Sequence, residues 1–164
     1  MHRLIVNQCS HGRGVITSRD IQRHAEIVRF SGAIVRRHEL PLPLLPENDY
    51  YLQIGENTFL GPSGEADDYI NHSCEPNAGV IVESDRSARL IALHRIRTGE
   101  SIVFDYSTTM LNAPCKMKCS CGSPICRGEV TDFQFLPAAQ QRKYVDIGIV
   151  PDYILMDYRR DPAA

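Results

Sequence analysis

Along the first two thirds of the chain, apolar residues come in short runs, each closed by a turn residue. Residues 3–6, 14–17, 27–30 and 33–35 read as strands punctuated by Gly12, Gly14 and Gly32. Pro41, Pro43 and Pro46 deny the next stretch a helix or a central strand, so a surface loop is expected there. It leads to an aromatic strand at 50–54. Apolar patterning returns at 79–82, 90–93 and 102–106, the last entered through the turn Arg97-Thr98-Gly99-Glu100.

The pattern changes after Gly128. Pro137 suits the first turn of a helix through Ala138, Gln141 and Tyr144 that ends near Gly148, and a second short helix starts at Pro151. No internal repeat interrupts this order. The expectation is a mainly β protein with a short helical tail, which acts as a packing cap rather than a lid.

Composition narrows the class. A chain of 164 residues, 43% hydrophobic and 23% charged, fits one compact domain. Lys and Arg total 18 against 20 Asp and Glu, a formal net charge of -2, so the basic excess of a phosphate-binding surface is missing. Direct nucleic-acid binding is therefore not expected. No apolar run approaches the roughly 20 residues that span a bilayer. The start of the chain lacks the apolar core of a signal peptide, so the cytoplasm is the default location. Of the 6 cysteines, Cys115, Cys119, Cys121 and Cys126 crowd together, which without a secretion signal reads as metal binding rather than disulfides.

Three strings carry the chemistry. Asn71-His72-Ser73-Cys74-Glu75-Pro76-Asn77 resembles the NHSCxPN signature of SET domains. Gly99-Glu100-Ser101-Ile102-Val103-Phe104-Asp105-Tyr106 is similar to the family's GEE-(I/L)-x-FDY segment, with Ser101 in place of the second acid, a departure expected to touch only a surface contact. Cys119, Cys121, Cys126 and Gly128 match the Cys-x-Cys-x4-Cys-x-Gly pattern of the post-SET module. Gly12-Arg13-Gly14, by itself a plain turn, looks like the family's GxG turn beneath the cofactor. The resemblance covers residues 12–128, in the family's order; no cysteine-rich pre-SET region is present, and the stretch 37–68 is short.

This resemblance to SET-domain protein lysine methyltransferases implies a fold of several small sheets with a pseudoknot, a zinc-binding post-SET loop and short C-terminal helices. The corresponding division is a catalytic SET domain at 1–112, a post-SET module at 113–130 and a helical tail at 131–164. The implied cofactors are S-adenosylmethionine as methyl donor and one structural zinc. The implied partner is a protein segment bearing a lysine, such as a histone tail, and the location would be nuclear if the chain is eukaryotic.

Zinc is also supported by the residues alone, because thiolates separated by short loops supply a tetrahedral set cheaply. Cys119, Cys121 and Cys126 give three ligands. The resemblance assigns the fourth to Cys74, which would draw the post-SET loop onto the 71–77 segment; Cys115 is the local alternative.

Methyl transfer from a sulfonium to an amine is an in-line displacement, so the protein has to align the partners and keep the lysine neutral by removing it from water. The resemblance makes Tyr106 the catalytic tyrosine. It gives Asn71, His72, Tyr106 and the Gly12, Arg13, Gly14 turn to the cofactor. Phe104 occupies the position that influences product, where phenylalanine leaves room for di- or trimethylation. Of Tyr50 and Tyr51, strand alternation lets at most one face the lysine channel, and Tyr51 is favoured. Phe133, Phe135 and Tyr144 are candidates for closing that channel. His2, His11, His24, His38 and His94 stand in no comparable context. The runner-up reading is a non-catalytic zinc-stabilised module that binds a peptide or partner.

Overall fold

In the computed structural model, residues 4–9, 12–45, 49–114 and 117–160 are described. Arg3, Pro46, Cys115, His2 and His11 lie outside them, so the alternative zinc ligand and part of the first expected strand are not placed. Among the described residues, twelve strands fall into five small sheets. Strands β1 (Leu4–Cys9) and β2 (Gly12–Thr17) form an antiparallel hairpin. Strands β3 (Glu26–Phe30), β8 (Ala78–Val82) and β9 (Ala88–Ala92) form a sheet in the order β3-β9-β8. Strands β4 (Ile34–Arg36), β5 (Leu52–Gly55) and β6 (Thr58–Leu60) form another, with β6 in the centre. Two short pairs complete the set, parallel β7 (Asn71–His72) with β10 (Val103–Phe104), and antiparallel β11 (Met117–Lys118) with β12 (Glu129–Val130).

Each sheet is too small to bury a face alone, so their apolar faces share one core. Val15, Ile21, Ile27, Val80, Leu90, Ile96 and Ile102 are almost wholly excluded from water. At roughly 2 kcal/mol for each such side chain, this cluster is the main force holding the hairpin, the three-stranded sheet and the 102–106 segment together. The patterning missed β6, whose Thr58, Phe59 and Leu60 are all buried and therefore show no alternation.

The aromatic strand also starts later than expected. Pairing begins at Leu52, leaving Tyr50 and Tyr51 in irregular chain ahead of it. Tyr106, placed by pattern at the end of a strand, instead opens a 3-10 turn at Tyr106–Thr108, because the Asp105 side chain accepts the Ser107 N–H at its N-cap.

The tail forms helices α1 (Ala138–Asp146) and α2 (Asp152–Arg160). Pro137 sits at the cap of α1 rather than inside it, and its carbonyl accepts from the Gln140 and Gln141 N–H groups. Gly148, at φ 72°, ends the turn. Phe133, Leu136, Tyr144, Ile149 and Ile154 build a second core against Leu111, Ile81 and Leu93. The Tyr153 hydroxyl donates toward the Gln53 carbonyl at 3.0 Å and the Thr109 carbonyl at 2.6 Å, tying α2 beneath the β5 sheet. The tail is thus a packing cap. Among the described residues, no helix is long and apolar enough to cross a membrane.

Candidate active site

The parallel pairing of β7 with β10 brings the two most specific strings side by side, Val103 opposite Asn71 and Phe104 opposite His72. The Ser73 N–H donates to the Phe104 carbonyl at 3.1 Å, extending the contact toward Cys74. Asn71 then reaches the hairpin: its Nδ2 donates to the Arg13 carbonyl at 2.9 Å. A methyl group at Gly14 would stand 2.8 Å from that nitrogen, so glycine is required for this approach. Gly12 is glycine for another reason, a φ of 94°. The guanidinium of Arg13 lies over the Tyr69 ring, 3.9 Å from its centre.

The His72 side chain is only 7% exposed. Nδ1 accepts the Tyr106 N–H at 3.2 Å, so Nε2 carries the proton and lies 3.4 Å from the Cys74 sulfur. Burial, opposed by the charge of Asp105, holds this imidazole down to about 4, and the ring is neutral at ordinary pH. The 3.5 Å approach of Nδ1 to Asp105 is therefore not an ion pair.

Cys74, Cys119, Cys121 and Cys126 present sulfurs that all lie within 4.8 Å of one another. None is disulfide-bonded. A tetrahedron of thiolates about 2.3 Å from zinc has edges of about 3.8 Å. The Cys74–Cys119 and Cys119–Cys126 separations are 3.8 and 3.6 Å, so the donor set fits zinc. Backbone N–H groups face the sulfurs: that of Arg127 lies 3.4 Å from Cys74 Sγ, and that of Cys74 lies 3.5 Å from Cys121 Sγ. Such donors favour thiolate over thiol.

Arg127 joins this cluster to the FDY segment. Its Nη1 donates to Asp105 Oδ2 and its Nη2 to Asp105 Oδ1, each at 2.8 Å. The same carboxylate accepts the Tyr144 hydroxyl of α1 at 2.9 Å and the Ser107 N–H at 3.1 Å. The fork-on-fork geometry makes this a strong pair, with the carboxylate fully buried and the guanidinium largely so.

Two cavities open beside these elements. The larger, about 410 Å³, is bordered by Gly12, Arg13, Asn71, His72 and, on the far side, Lys118 and Cys119. Gly14 stands behind this wall rather than in it. The smaller, about 100 Å³, is aromatic and apolar, with Phe30, Tyr51, Phe59 and Phe104 among its walls. Both cavities are bordered by Tyr106, Tyr50, Asp49, Asp68 and Met117. Tyr106 donates its O–H to the Ile70 carbonyl at 2.8 Å, which leaves the oxygen lone pairs free for a guest. Burial, and then the charge of Asp49, keep this hydroxyl above the usual phenol range. It is a neutral acceptor and not a base.

Both Tyr50 and Tyr51 border the narrow cavity, contrary to the expectation that at most one would. Strand alternation does not apply, since both precede β5. Phe133 and Tyr144 are buried in the second core and Phe135 is exposed, so none of the three borders either cavity. Phe104 meets Tyr106 at 4.8 Å and Phe30 at 6.2 Å between ring centres. Ser101 is exposed, in keeping with its expected surface role. Sequence reasoning overlooked Asp49, Tyr69, Met117 and Lys118 as walls; none belongs to a spaced motif, and only the tertiary fold brings them in.

Residues 12–107 match the family model for the SET domain. The chain belongs to the SET-domain family. Over 126 residues it is 33% identical to the histone-lysine N-methyltransferase trr of Drosophila melanogaster, spanning 71% of this chain and 5% of that protein. It is 30% identical over 127 residues to the human histone-lysine N-methyltransferase 2B, again 71% of this chain and 5% of the relative. The chain thus corresponds to a small part of these long relatives. The fold resembles the solved structure of KRYPTONITE in complex with DNA, an H3 peptide and SAH, with a TM-score of 0.66 at 20% identity over 80% of this chain and 30% of that one. It also resembles the methyltransferase domain of human SETMAR, at a TM-score of 0.65 and 22% identity over 80% of this chain and 59% of that one. Catalytic SET proteins therefore share this SET architecture.

Proposed function

We propose that the chain is a protein lysine N-methyltransferase that moves a methyl group from S-adenosylmethionine to a lysine of a protein substrate, a histone tail being the first candidate. The observation that carries this reading is that a wide cavity and a narrow one walled in large part by aromatic residues are both bordered by Tyr106. In-line transfer needs that arrangement, with donor and acceptor entering from opposite sides and touching at one point.

S-adenosylmethionine, when bound, supplies an electrophilic methyl on a sulfonium. The wide cavity is of ligand size and would hold it through Gly12, Arg13, Asn71 and the His72 backbone, with Gly14 letting Asn71 close on the hairpin. Tyr51 and Phe104 would flank the lysine stem in the narrow channel. Desolvation there favours the neutral amine, and the Tyr106 oxygen, an acceptor only, orients it by taking one of its N–H groups. Since Tyr106 stays protonated, the ammonium proton has to leave through the channel to water. With phenylalanine at 104 no hydroxyl anchors a water in the pocket, and the aromatic faces tolerate a methylated ammonium, which favours di- and trimethyl products.

One zinc held by Cys74, Cys119, Cys121 and Cys126 would serve structure alone, fastening the 117–130 segment against the NHSC loop and so finishing one wall of the donor cavity. On this reading residues 1–112 catalyse, 113–130 complete the site and 131–164 brace it. A nuclear setting follows if the chain is eukaryotic.

The test is incubation with labelled S-adenosylmethionine and a panel of histones, cell extract and lysine peptides. Tyr106→Phe is expected to lower transfer by about a hundredfold with the fold intact, since a positioned polar group is worth roughly that much. Near-normal turnover would remove Tyr106 from the mechanism, and a strict monomethyl product at long times would remove the role of Phe104. Transfer to nothing by the unaltered chain would favour the non-catalytic peptide-binding module.

A further inference from the structure

The narrow channel has a charge pattern that no motif announced. Asp49, Asp67 and Asp68 border it, and among the described residues no Lys or Arg does. Two of these carboxylates are already committed. Asp67 accepts the Ser31 N–H at 2.9 Å and the Ser63 hydroxyl at 2.8 Å. Asp68 accepts the N–H groups of Ser63 and Gly64 at 2.9 and 2.7 Å. Asp49 differs. Its one hydrogen bond among the described residues is the Tyr51 N–H, 3.3 Å from Oδ1.

We infer that Asp49 is a specificity-determining residue of the same site, the anion that recognises the incoming lysine ammonium and holds it where the two cavities join. This deepens the proposed transferase reading and rests on it. Three observations support it together. Asp49 borders both cavities, as Tyr106 does, so the residue stands where the two spaces share a wall. It is partly withdrawn from water, and among the described residues one N–H is the whole of its hydrogen bonding, a cost a fold does not maintain without use. Its charge is felt at the Tyr106 hydroxyl, the point where donor and acceptor meet.

The ion pair suits a step that must later lose a proton. Burial raises the Asp49 carboxyl above its ordinary value, and an apolar channel lowers an ammonium, so charged and neutral forms of the pair draw closer in energy than in water. An uncharged side chain of equal length, such as norleucine, fills the aromatic walls equally well but gains nothing from Asp49. Selection against it is what the carboxylate adds.

The experiment is binding, not turnover. A pool of short peptides with a fixed central lysine and the same pool with central norleucine are titrated against the unaltered chain, Asp49→Asn and Asp49→Glu, in the presence of S-adenosylhomocysteine, which has no methyl group to transfer, and S-adenosylmethionine is titrated separately without peptide. The unaltered chain should prefer lysine by about fivefold to tenfold, as expected for a partly buried charge pair. Asp49→Asn, which keeps size and the acceptor for Tyr51, should bring the two pools within about twofold, and Asp49→Glu should restore part of the preference. No preference in the unaltered chain, or a preference that survives Asp49→Asn, overturns the inference. So does an Asp49→Asn variant that loses affinity for S-adenosylmethionine instead, because the carboxylate would then serve the donor's charge. Lysine selection without methyl transfer would sink the transferase reading and leave this one standing; transfer without Asp49-dependent selection would do the reverse.

Discussion

Asp105 is a buried carboxylate next to Tyr106 in the chain, Asp49 is one that borders both cavities, and the fold treats them in opposite ways. Around Asp105 both oxygens are spoken for, by the fork of Arg127, the Tyr144 hydroxyl and the Ser107 N–H. The residues it joins come from four places in the chain: the FDY segment, the zinc loop, the tail helix and, through His72, the NHSC string. At Asp49 one N–H is met among the described residues, and the residue borders both cavities. A saturated buried anion is a joint. An unsaturated one is a means of binding, kept at some expense of stability.

The comparison breaks first at the cluster beside the joint. Cys74 contributes the buried sulfur of the set, and the Arg127 N–H that faces it belongs to the residue gripping Asp105. Metal analysis is expected to give one zinc per chain. Cys74→Ser should lose most of it and most methyl transfer together, whereas Cys115→Ser should lose neither. Retention in Cys74→Ser with loss in Cys115→Ser would transfer the fourth ligand to Cys115 and uncouple the zinc loop from the NHSC string.

Next in size is the joint itself. The Asp105 side chain is 0% exposed and that of Arg127 16%, so Asp105→Asn strands a guanidinium whose Nε already lacks a partner. Removing one member of a buried pair costs about 3–5 kcal/mol, and the denaturation midpoint should fall accordingly. A loss below about 1 kcal/mol, as for an exposed pair, would mean that water reaches this carboxylate.

The joint was half legible in the sequence. Asp105 sits inside a recognised string and Arg127 inside another, but neither spacing says that they meet; that contact depends on the zinc loop folding back over the β7–β10 pair. Gly12, the tail helices and the three C-terminal cysteines were readable because each obeys a local rule, positive φ, a proline cap or ligand spacing, whereas Cys74 came from the resemblance. Strand β6 and the two-residue strands β7, β11 and β12 were not, since a fully buried or very short strand carries no alternation. Tyr50 misled for the opposite reason, an alternation rule applied where there is no strand. Asp49 follows a proline-rich loop with nothing to mark it, and only the enclosing cavities give it meaning.

The smallest effect has the opposite sign and so discriminates best. Desolvation raises the Asp49 carboxyl above 3.8, with the Tyr51 N–H opposing. A folded-state value above the unfolded one means that the unfolded chain holds the ionised form more readily. The penalty on stability is absent below the unfolded value, grows as pH rises through the folded value, and is complete above it. Asp68, Tyr106 and the cation Lys118 share walls with Asp49, and no ion pair joins Lys118 to it among the described residues. Asp49→Asn removes the penalty. At neutral pH this variant should therefore be as stable as the unaltered chain or slightly more so, by a few tenths of a kcal/mol for a partly buried site, and the gap should close as the pH is taken below about 4. Thermal unfolding of the two proteins across that range is the measurement. A clear destabilisation at neutral pH would place Asp49 with Asp105 among the joints of the fold, and its spare acceptor capacity would then need a structural partner in place of a substrate.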